Sequence, residues 1–271
     1  MKNYDIKLIA LDIDGTILGK TLTLSENLKS TIKQTIQKGI KVVISTGRMF
    51  SAAYPILQEL GLNTPIIAYQ GSMIKDINKV YLHHCLKNSV AFEVINDLRN
   101  YDVQINVYNN DELFVEEERP CLAKYVTDRK ISYNRIESFN SLIGKEITKL
   151  VIINNDKDKM SEIRDIFKAK YGDELLIAKS TPIYCEFVDI KSSKGSGVVF
   201  LAKMWGIDPS QIMAIGDQDN DREMLEVAEL GVAMGNGSDE LKKIADYVTD
   251  TAENDGVHKA IQKFVFKNDA I

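Results

Sequence analysis

Short apolar runs alternate with helical patterns at both ends of this 271-residue chain, and this alternation constrains the fold most. Ile6–Leu11, Lys41–Ser45 and Ile66–Tyr69 have the largely apolar character of strands buried on both faces of a sheet. Between the first two, apolar residues recur every four positions in a segment that Ser25 opens as N-cap and Gly39 closes. This order predicts a parallel sheet with right-handed crossovers.

The middle of the chain has a different pattern. Strand-like pairs lie between helical segments there, for example Val103–Val107 and Glu112–Val115 around a turn predicted at Asn109-Asn110. Such pairs are typical of an α+β unit with an antiparallel sheet. After Lys194 the strand–helix alternation returns. We therefore predict an α/β protein whose parallel-sheet core, residues 1–82 and 189–271, is interrupted by an inserted α+β domain, residues 83–188.

Charge and cysteine content limit the partners and the compartment. The net charge of -5 argues against nucleic acid or an anionic membrane as the main partner. Cys85, Cys121 and Cys185 are scattered and have no CxxC spacing, so we expect free thiols in a reducing compartment. We find no signal-peptide pattern and no apolar run long enough to span a bilayer, and we expect a cytoplasmic protein. The oligomeric state is not predicted.

Two carboxylates follow the first predicted strand, in Asp12-Ile13-Asp14-Gly15-Thr16. The carboxyl ends of parallel strands form the ligand-binding edge of open α/β sheets. Asp12 and Asp14 are two residues apart, so their side chains can converge on one cation or one phosphoryl group. A plain Asp-Gly turn explains these residues equally well when the motif is taken alone.

Three further aspartates follow a later apolar strand, Ile212–Ile215, in Gly216-Asp217-Gln218-Asp219-Asn220-Asp221. Aspartates this close repel one another unless a cation binds them or water surrounds them. An all-oxygen set with few carboxylates suits Mg²⁺. The alternative is a solvated, Asp-rich N-cap turn. Together with the first cluster, the pattern favours a metal site.

Two elements can supply an anion site. Ser45-Thr46-Gly47-Arg48 follows a strand and opens a helix, where a hydroxyl and free backbone amides bind anions. Its simpler explanation is that Thr46 caps the helix. Lys194 lies where the core resumes, and it can neutralise phosphate or the carboxylates, although most lysines are merely solvated.

The order and setting of these four elements resemble those of haloacid dehalogenase (HAD) superfamily phosphatases. The similarity is to the Cof-type subclass IIB group, which includes many sugar-phosphate phosphatases. It implies a Rossmann-like HAD core with an inserted cap domain that sets substrate specificity. The four matching motifs are Asp12 to Thr16, Thr46 in Ser-Thr-Gly-Arg, Lys194, and Gly216 to Asp221.

The resemblance also implies a mechanism. Asp12 attacks phosphorus to form an aspartyl-phosphate, and Asp14 protonates the leaving group and then deprotonates water. The implied magnesium ligands are Asp12, the backbone carbonyl of Asp14, Asp217 and, directly or through water, Asp221. The implied phosphate-binding groups are Thr46, Gly47, Lys194 and Asn220. The expected partner is a small-molecule phosphate ester.

Several residues and the type of reaction are less well defined by the sequence. Gln70-Gly71-Ser72 stands where the family usually has Asn-Gly-Ala, close to the site, which puts substrate orientation in doubt. Tyr184 and Glu186 alternate on the strand that returns to the core, so one of them can reach substrate, although strand packing is the favoured role for both. The three histidines, His83 among them, look too few and too dispersed for a metal site. A phosphomutase or phosphotransferase and a non-hydrolysing phosphometabolite-binding protein are the alternatives to a phosphatase.

Overall fold

The structure is a computed structural model, and it describes residues 4–267. Its elements are numbered in chain order. The strands are β1 (Leu8–Leu11), β2 (Lys41–Ile44), β3 (Ile66–Ala68), β4 (Met73–Lys75), β5 (Val80–His83), β6 (Gln104–Asn109), β7 (Glu112–Val115), β8 (Asn134–Arg135), β9 (Ile147–Ile153), β10 (Leu175–Thr181), β11 (Tyr184–Asp189), β12 (Ile212–Gly216), β13 (Leu230–Ala233) and β14 (Tyr247–Val248). The α-helices are α1 (Glu26–Gln37), α2 (Phe50–Glu59), α3 (Asn88–Leu98), α4 (Pro120–Arg129), α5 (Lys157–Tyr171), α6 (Lys194–Met204), α7 (Arg222–Glu226), α8 (Asp239–Ile244) and α9 (Gly256–Ile261).

Five parallel strands form the central sheet, in the order β14-β13-β12-β1-β2. Alternate side chains of β1 point to opposite faces: Ile9 packs in one hydrophobic cluster with α1, α2 and α9, and Leu8 in another with α6, α7 and α8. This three-layer packing explains why the core strands are apolar on both faces. The predicted α/β class is confirmed.

Helix α1 illustrates how local sequence sets an element. The hydroxyl of Ser25 accepts a hydrogen bond from the amide of Leu28 at 3.1 Å, as predicted for the N-cap. Leu28 and Ile32 are buried against the sheet. Ile36, which shares their spacing, is exposed because it lies at the helix end.

The third predicted strand is not part of the parallel sheet. Strand β3 pairs antiparallel with β4, and β4 with β5, in a separate three-stranded sheet. Its link to the central sheet is an isolated parallel bridge between Ser45 and Ile67. The reason is local, because the chain turns back immediately after β3 at Tyr69–Gly71, so β4 takes up its hydrogen bonds.

A six-stranded sheet, β10-β11-β9-β6-β7-β8, is built from residues 104–189 and is antiparallel except for the β7–β8 pair. Helices α3 and α5 cover one face in a hydrophobic cluster of their own. The other face packs with α4 and continues into the core cluster through Tyr108 and Tyr69, whose rings meet edge to face. We call this sheet with α3, α4 and α5 the cap. The predicted limits of 83 and 188 for the inserted domain remain a prediction.

The hairpin between β6 and β7 turns one residue later than predicted. Asn110 and Asp111, not Asn109 and Asn110, have positive φ angles of 49° and 58°. A two-residue hairpin turn that matches the strand twist needs a positive φ at both central positions, and Asn and Asp adopt it more readily than most residues. Among the described residues no helix is long and apolar enough to cross a membrane.

Candidate active site

Three carboxylates meet at the carboxyl edge of the central sheet. Asp12 follows β1 and Asp217 follows β12, the neighbouring strand, so the two motifs are brought together by strand pairing. Asp221 lies four residues after Asp217, at the end of a short 3-10 helix, and is fully buried. Asp12, Asp217 and Asp221 each offer an oxygen within 4.8 Å of the others. We call these three residues the carboxylate cluster, and three of the predicted metal ligands thus lie together.

Lys194, at the start of α6, contacts the carboxylate cluster. Its ammonium donates hydrogen bonds of 2.6 Å to Asp12 Oδ1 and 2.6 Å to Asp221 Oδ1. It is the first residue of α6, and a capping box between Ser193 and Ser196 fixes the start of that helix. The side chain is 1% exposed, so it is one of the few lysines that are not solvated.

The cluster contains more negative than positive charge. Burial raises the pKa of Asp12 well above its usual range despite Lys194, and Asp221, Asp217 and Asp14 raise it further. Burial and the charge of Asp221 raise the pKa of Asp217 to about 7. Two backbone amides, of Asp217 and Gln218, donate to Asp221 Oδ2 at 2.9 and 3.1 Å and fix its orientation. Buried oxygens that repel one another in this way suit a divalent cation.

Asp14 is held apart from the cluster by Arg48. The guanidinium donates from Nε to Oδ2 at 2.8 Å and from Nη2 to Oδ1 at 2.6 Å, in a two-point contact. Partial burial alone would raise the pKa of Asp14, but the hydrogen bonds and charge of Arg48, with smaller contributions from Arg129 and Lys194, outweigh it and lower the pKa. The side chain of Asp14 is 42% exposed. Arg48 had no predicted role beyond its place in the Ser-Thr-Gly-Arg motif.

Gly15 is required at the turn between these groups. Its φ of +85° lies in the region that favours glycine, and a Cβ there would be 2.2 Å from Asp217 Oδ2. The lack of a side chain at Gly15 thus allows Asp217 to approach the turn that follows Asp12 and Asp14. A simple solvated turn would not need this approach, so the structure goes against the plain-turn explanation.

Thr46 and Gly47 lie beside the cluster, after β2. Thr46 is buried, and its hydroxyl accepts a hydrogen bond from the Arg48 amide at 3.1 Å. It does not cap α2, which begins at Phe50, so the capping explanation is wrong. A Cβ on Gly47 would come within 2.5 Å of Gln70 Nε2. Gln70 therefore fills the position that a side chain at residue 47 would take.

Gln70, the departure from the family pattern, contacts a predicted phosphate-binding residue. It has a left-handed backbone, with φ 58° and ψ 28°, and its Oε1 accepts a hydrogen bond of 3.1 Å from Asn220 Nδ2. Gln70 Nε2 and Asn220 Oδ1 are buried and have no hydrogen-bond partner among the described residues. One donor and one acceptor thus remain for a ligand.

The cap contributes a buried ion pair that sequence reasoning missed. Lys149 of β9 donates to Glu186 Oε2 of β11 at 2.8 Å and to the backbone oxygen of Gly47 at 2.5 Å. Glu186 therefore faces the site, as the alternative prediction for one of these two residues had it, and the favoured packing role does not describe it. Tyr184 does pack as predicted, edge to face on Tyr125 at 5.3 Å. The sequence signal that could have revealed this ion pair is a charged residue inside each of two largely apolar strands.

A second contact joins the tip of the cap hairpin to the core. Asp111 accepts hydrogen bonds from the amides of Phe50 and Ser51, at 2.9 and 3.0 Å, and from the hydroxyl of Tyr69 at 2.7 Å. Helix α2 has no side-chain cap from its own N-cap residue, Met49. A cap-domain carboxylate therefore serves as the N-terminal cap of a core helix.

Two cavities lie between cap and core. The smaller, about 30 Å³, is lined by groups from both sides, among them Asp12, Thr46 and Arg129. The larger has a volume of about 300 Å³, and its lining includes Gln70 and Leu176. Lys194, Glu186 and Asn220 line both cavities, so the two adjoin at these residues, and the smaller one also contains Asp12 and Asp217 of the carboxylate cluster.

Comparison with known proteins decides the family. The family model described as haloacid dehalogenase-like hydrolase matches residues 9–261. The chain belongs to this family. Two curated enzymes of Bacillus subtilis, each named 5-amino-6-(5-phospho-D-ribitylamino)uracil phosphatase, are 31% and 30% identical to it; the alignments cover 97% and 95% of this chain and 98% and 97% of theirs. The predicted resemblance is confirmed, and this HAD protein is a phosphatase.

The fold agrees with a solved member of the family. The structure of a haloacid dehalogenase-like hydrolase from B. subtilis superposes with a TM-score of 0.87 at 27% identity, over 95% of this chain and 99% of that one. The match extends over core and cap together. The roles of the individual site residues are not fixed by these comparisons and are argued below.

Proposed function

We propose that this phosphatase hydrolyses phosphate monoesters of small metabolites, sugar phosphates first among them, through an aspartyl-phosphate on Asp12 and with Mg²⁺ as cofactor. The observation that carries the proposal is the contact of Asp12 with Lys194 inside the buried carboxylate cluster. A lysine ammonium hydrogen-bonded to the attacking carboxylate can also neutralise the phosphoryl oxygens that approach it.

The carboxylate cluster fits the proposed cation. Its donors are all oxygens, they are buried, and the pKa values of Asp12 and Asp217 are raised by burial and by the neighbouring carboxylates. The proposed ligands are Asp12, Asp217, Asp221 and the backbone carbonyl of Asp14. When bound, Mg²⁺ supplies positive charge that lets an anionic nucleophile approach an anionic phosphate.

In the first half-reaction an oxygen of Asp12 forms a bond to phosphorus while the bond from phosphorus to the leaving oxygen breaks. Asp14 gives its proton to that oxygen, so the product is a neutral alcohol. Arg48 stabilises the ionised form of Asp14, so Asp14 must leave this contact to carry the proton. The Thr46 hydroxyl and the Gly47 amide are proposed to hold the phosphoryl oxygens, since the Thr46 amide already donates to the Ile67 carbonyl at 2.8 Å.

In the second half-reaction Asp14 takes a proton from a water molecule, whose oxygen attacks phosphorus. The bond between phosphorus and Asp12 then breaks, and inorganic phosphate is released. The carboxylate form of Asp14 is the one needed here, and the two-point contact with Arg48 favours it. This second use of Asp14 supports hydrolysis over a stable phosphoenzyme.

The inserted domain is proposed to select the leaving group. The strands of its sheet lie within Gln104 to Asp189, and the cavity of about 300 Å³ between it and the core reaches Lys194, which contacts the carboxylate cluster. That volume is at the lower end of the range for small-molecule sites. Gln70 Nε2 and Asn220 Oδ1 are available to bind hydroxyl or amide groups of the substrate.

A phosphate-release screen tests the proposal. The panel contains hexose 6-phosphates, nucleotides, pyridoxal phosphate, flavin mononucleotide and the ribitylaminouracil phosphate named for the B. subtilis relatives. We expect release with Mg²⁺, loss of release with EDTA, and no release from Asp12→Asn. Full activity in EDTA would reject the metal, and appearance of an isomeric phosphate in place of free phosphate would favour a mutase.

A further inference from the structure

The chain crosses from core to cap within two residues. The amide of His84 donates to the Ser72 carbonyl in the core at 2.7 Å, and the amide of Leu86 donates to the Ile147 carbonyl at the start of β9 at 2.8 Å. Cys85 lies between them. The backbone is thus bonded to the core on one side of Cys85 and to the cap on the other.

Three side chains with metal-binding atoms meet at this crossing. Cys85 Sγ lies 3.3 Å from His83 Nε2, and His83 Nδ1 lies 3.8 Å from Glu146 Oε2. One ligand atom from each of His83, Cys85 and Glu146 falls within 4.8 Å of the others. The sequence did not suggest this group, because Glu146 is 61 positions after Cys85. We call these three residues the hinge cluster.

The spacing in the hinge cluster is close to that of a zinc site. Bonds of about 2.3 Å to sulfur and about 2.0 Å to nitrogen, at a tetrahedral angle, hold the two atoms about 3.5 Å apart. The observed 3.3 Å separation of Cys85 Sγ from His83 Nε2 needs little change. The side chain of Glu146 is 77% exposed and free to adjust, and it leaves an entry path for an ion.

The ligand types separate the hinge cluster from the carboxylate cluster. A thiolate, an imidazole and a carboxylate favour Zn²⁺ or a similar cation, whereas three aspartates favour Mg²⁺. Three protein ligands also leave one position of a tetrahedron for water. In the described structure His83 Nε2 lies 2.9 Å from Thr148 Oγ1, a hydrogen bond that a bound cation would replace.

We propose that His83, Cys85 and Glu146 form a second metal site, for Zn²⁺ or a cation of similar chemistry, that links the core to the cap. His83 ends β5 of the core, and Glu146 directly precedes β9 of the cap. A cation bound to both therefore restrains motion of the cap about the crossing. The site is independent of the proposed phosphatase chemistry.

Cobalt binding to the reduced, full-length protein tests the site. Co²⁺ takes the same ligands as Zn²⁺, and a bond from thiolate sulfur to Co²⁺ gives a charge-transfer absorption that oxygen ligands do not give. We expect this absorption to saturate at one Co²⁺ per chain and to be displaced by Zn²⁺. Asp217→Asn, which alters the carboxylate cluster, should leave the absorption intact.

Matched variants decide which residues bind. Cys85→Ser should abolish the absorption, and Cys121→Ser should retain it. Glu146→Gln changes an exposed side chain, so it keeps the fold, and it should weaken Co²⁺ binding about tenfold or more. Thermal melting verifies that each variant is folded. Lack of the absorption in the wild type, or its survival in Cys85→Ser, would overturn the site.

The restraint on the cap has its own readout. Amide hydrogen exchange at the crossing, residues 84–86, should slow when Zn²⁺ is added to the wild type and stay unchanged in folded Cys85→Ser. Zinc-bound protein whose exchange at these amides is not slowed would overturn the link between core and cap. Neither experiment requires a substrate, so failure of the proposed function would not affect the result.

Discussion

The charged groups of the core and of the cap reach the active site by different routes. In the core, Asp12 and Asp217 come from the ends of neighbouring parallel strands. In the cap, Lys149 and Glu186 come from the interiors of antiparallel strands that are mostly apolar. The core groups are placed by strand order alone, whereas the cap groups depend on how the cap sheet faces the core. We therefore expect the core groups to control the chemistry and the cap groups to control closure and stability.

The largest expected effect is on the core side. Asp12→Asn removes the nucleophile while keeping the shape of the side chain, so phosphate release should fall by about 10³-fold or more. Asp219→Asn is the matched control: Asp219 accepts a hydrogen bond from Ser238 at 3.0 Å and lies outside the carboxylate cluster. It should keep most of the turnover. Similar losses in both variants would contradict a specific role for Asp12.

A large effect on stability is expected on the cap side. Lys149→Met leaves Glu186 buried without its partner, which typically costs about 3–5 kcal/mol of unfolding free energy. Urea unfolding measures this loss. Adding Glu186→Gln removes the unpaired charge, so the double variant should regain much of the stability. A double variant no more stable than Lys149→Met would mean that the ion pair is not what Lys149 stabilises.

A smaller effect is expected at the hairpin tip. Asp111→Gly keeps a residue that tolerates the positive φ but removes the cap of α2, so we expect a loss of about 1–2 kcal/mol. Asn110→Gly is the control for the added backbone freedom, because Asn110 also has a positive φ. Thermal unfolding compares the two. Equal destabilisation by both substitutions would show that the contact between cap and core contributes nothing.

The ion pair also predicts a dependence on pH. Burial raises the pKa of Glu186, but the charge and hydrogen bond of Lys149, with smaller contributions from Ser180 and Arg129, outweigh burial and lower the pKa below the ordinary value of 4.5. A carboxyl with a lowered pKa stabilises the fold above its unfolded pKa, and this contribution is lost as pH falls through the folded pKa. In Lys149→Met burial acts without Lys149, so protonation favours the folded state instead. The difference in unfolding free energy between wild type and Lys149→Met should therefore narrow as pH falls. Urea unfolding at several pH values measures this difference. A difference that stays constant with pH would mean that Glu186 is not involved.

The sequence predicted the core better than the cap for a physical reason. The apolar strands, the N-cap at Ser25 and the strand-end carboxylates are local signals, and pairing of β1 with β12 converts them into one site. The positions of Lys149 and Glu186 depend on contacts across the domain interface, which no local pattern records. The pairing of Arg48 with Asp14 and the hinge cluster are also contacts between distant residues. Strand β3 was predicted to belong to the parallel sheet. It pairs instead with β4, which follows it after a short turn.

The central claim is that Asp12 becomes phosphorylated during turnover, and mass spectrometry after rapid acid quenching tests it most directly. Asp14→Asn should slow hydrolysis of the intermediate, and with an aryl phosphate, whose leaving group departs without a proton from Asp14, the intermediate should still form. A peptide containing Asp12 should therefore gain the mass of one phosphoryl group during turnover of an aryl phosphate. Asp12→Asn should show no such gain. Phosphate release without any labelled peptide, or a label on a peptide that lacks Asp12, would contradict the account.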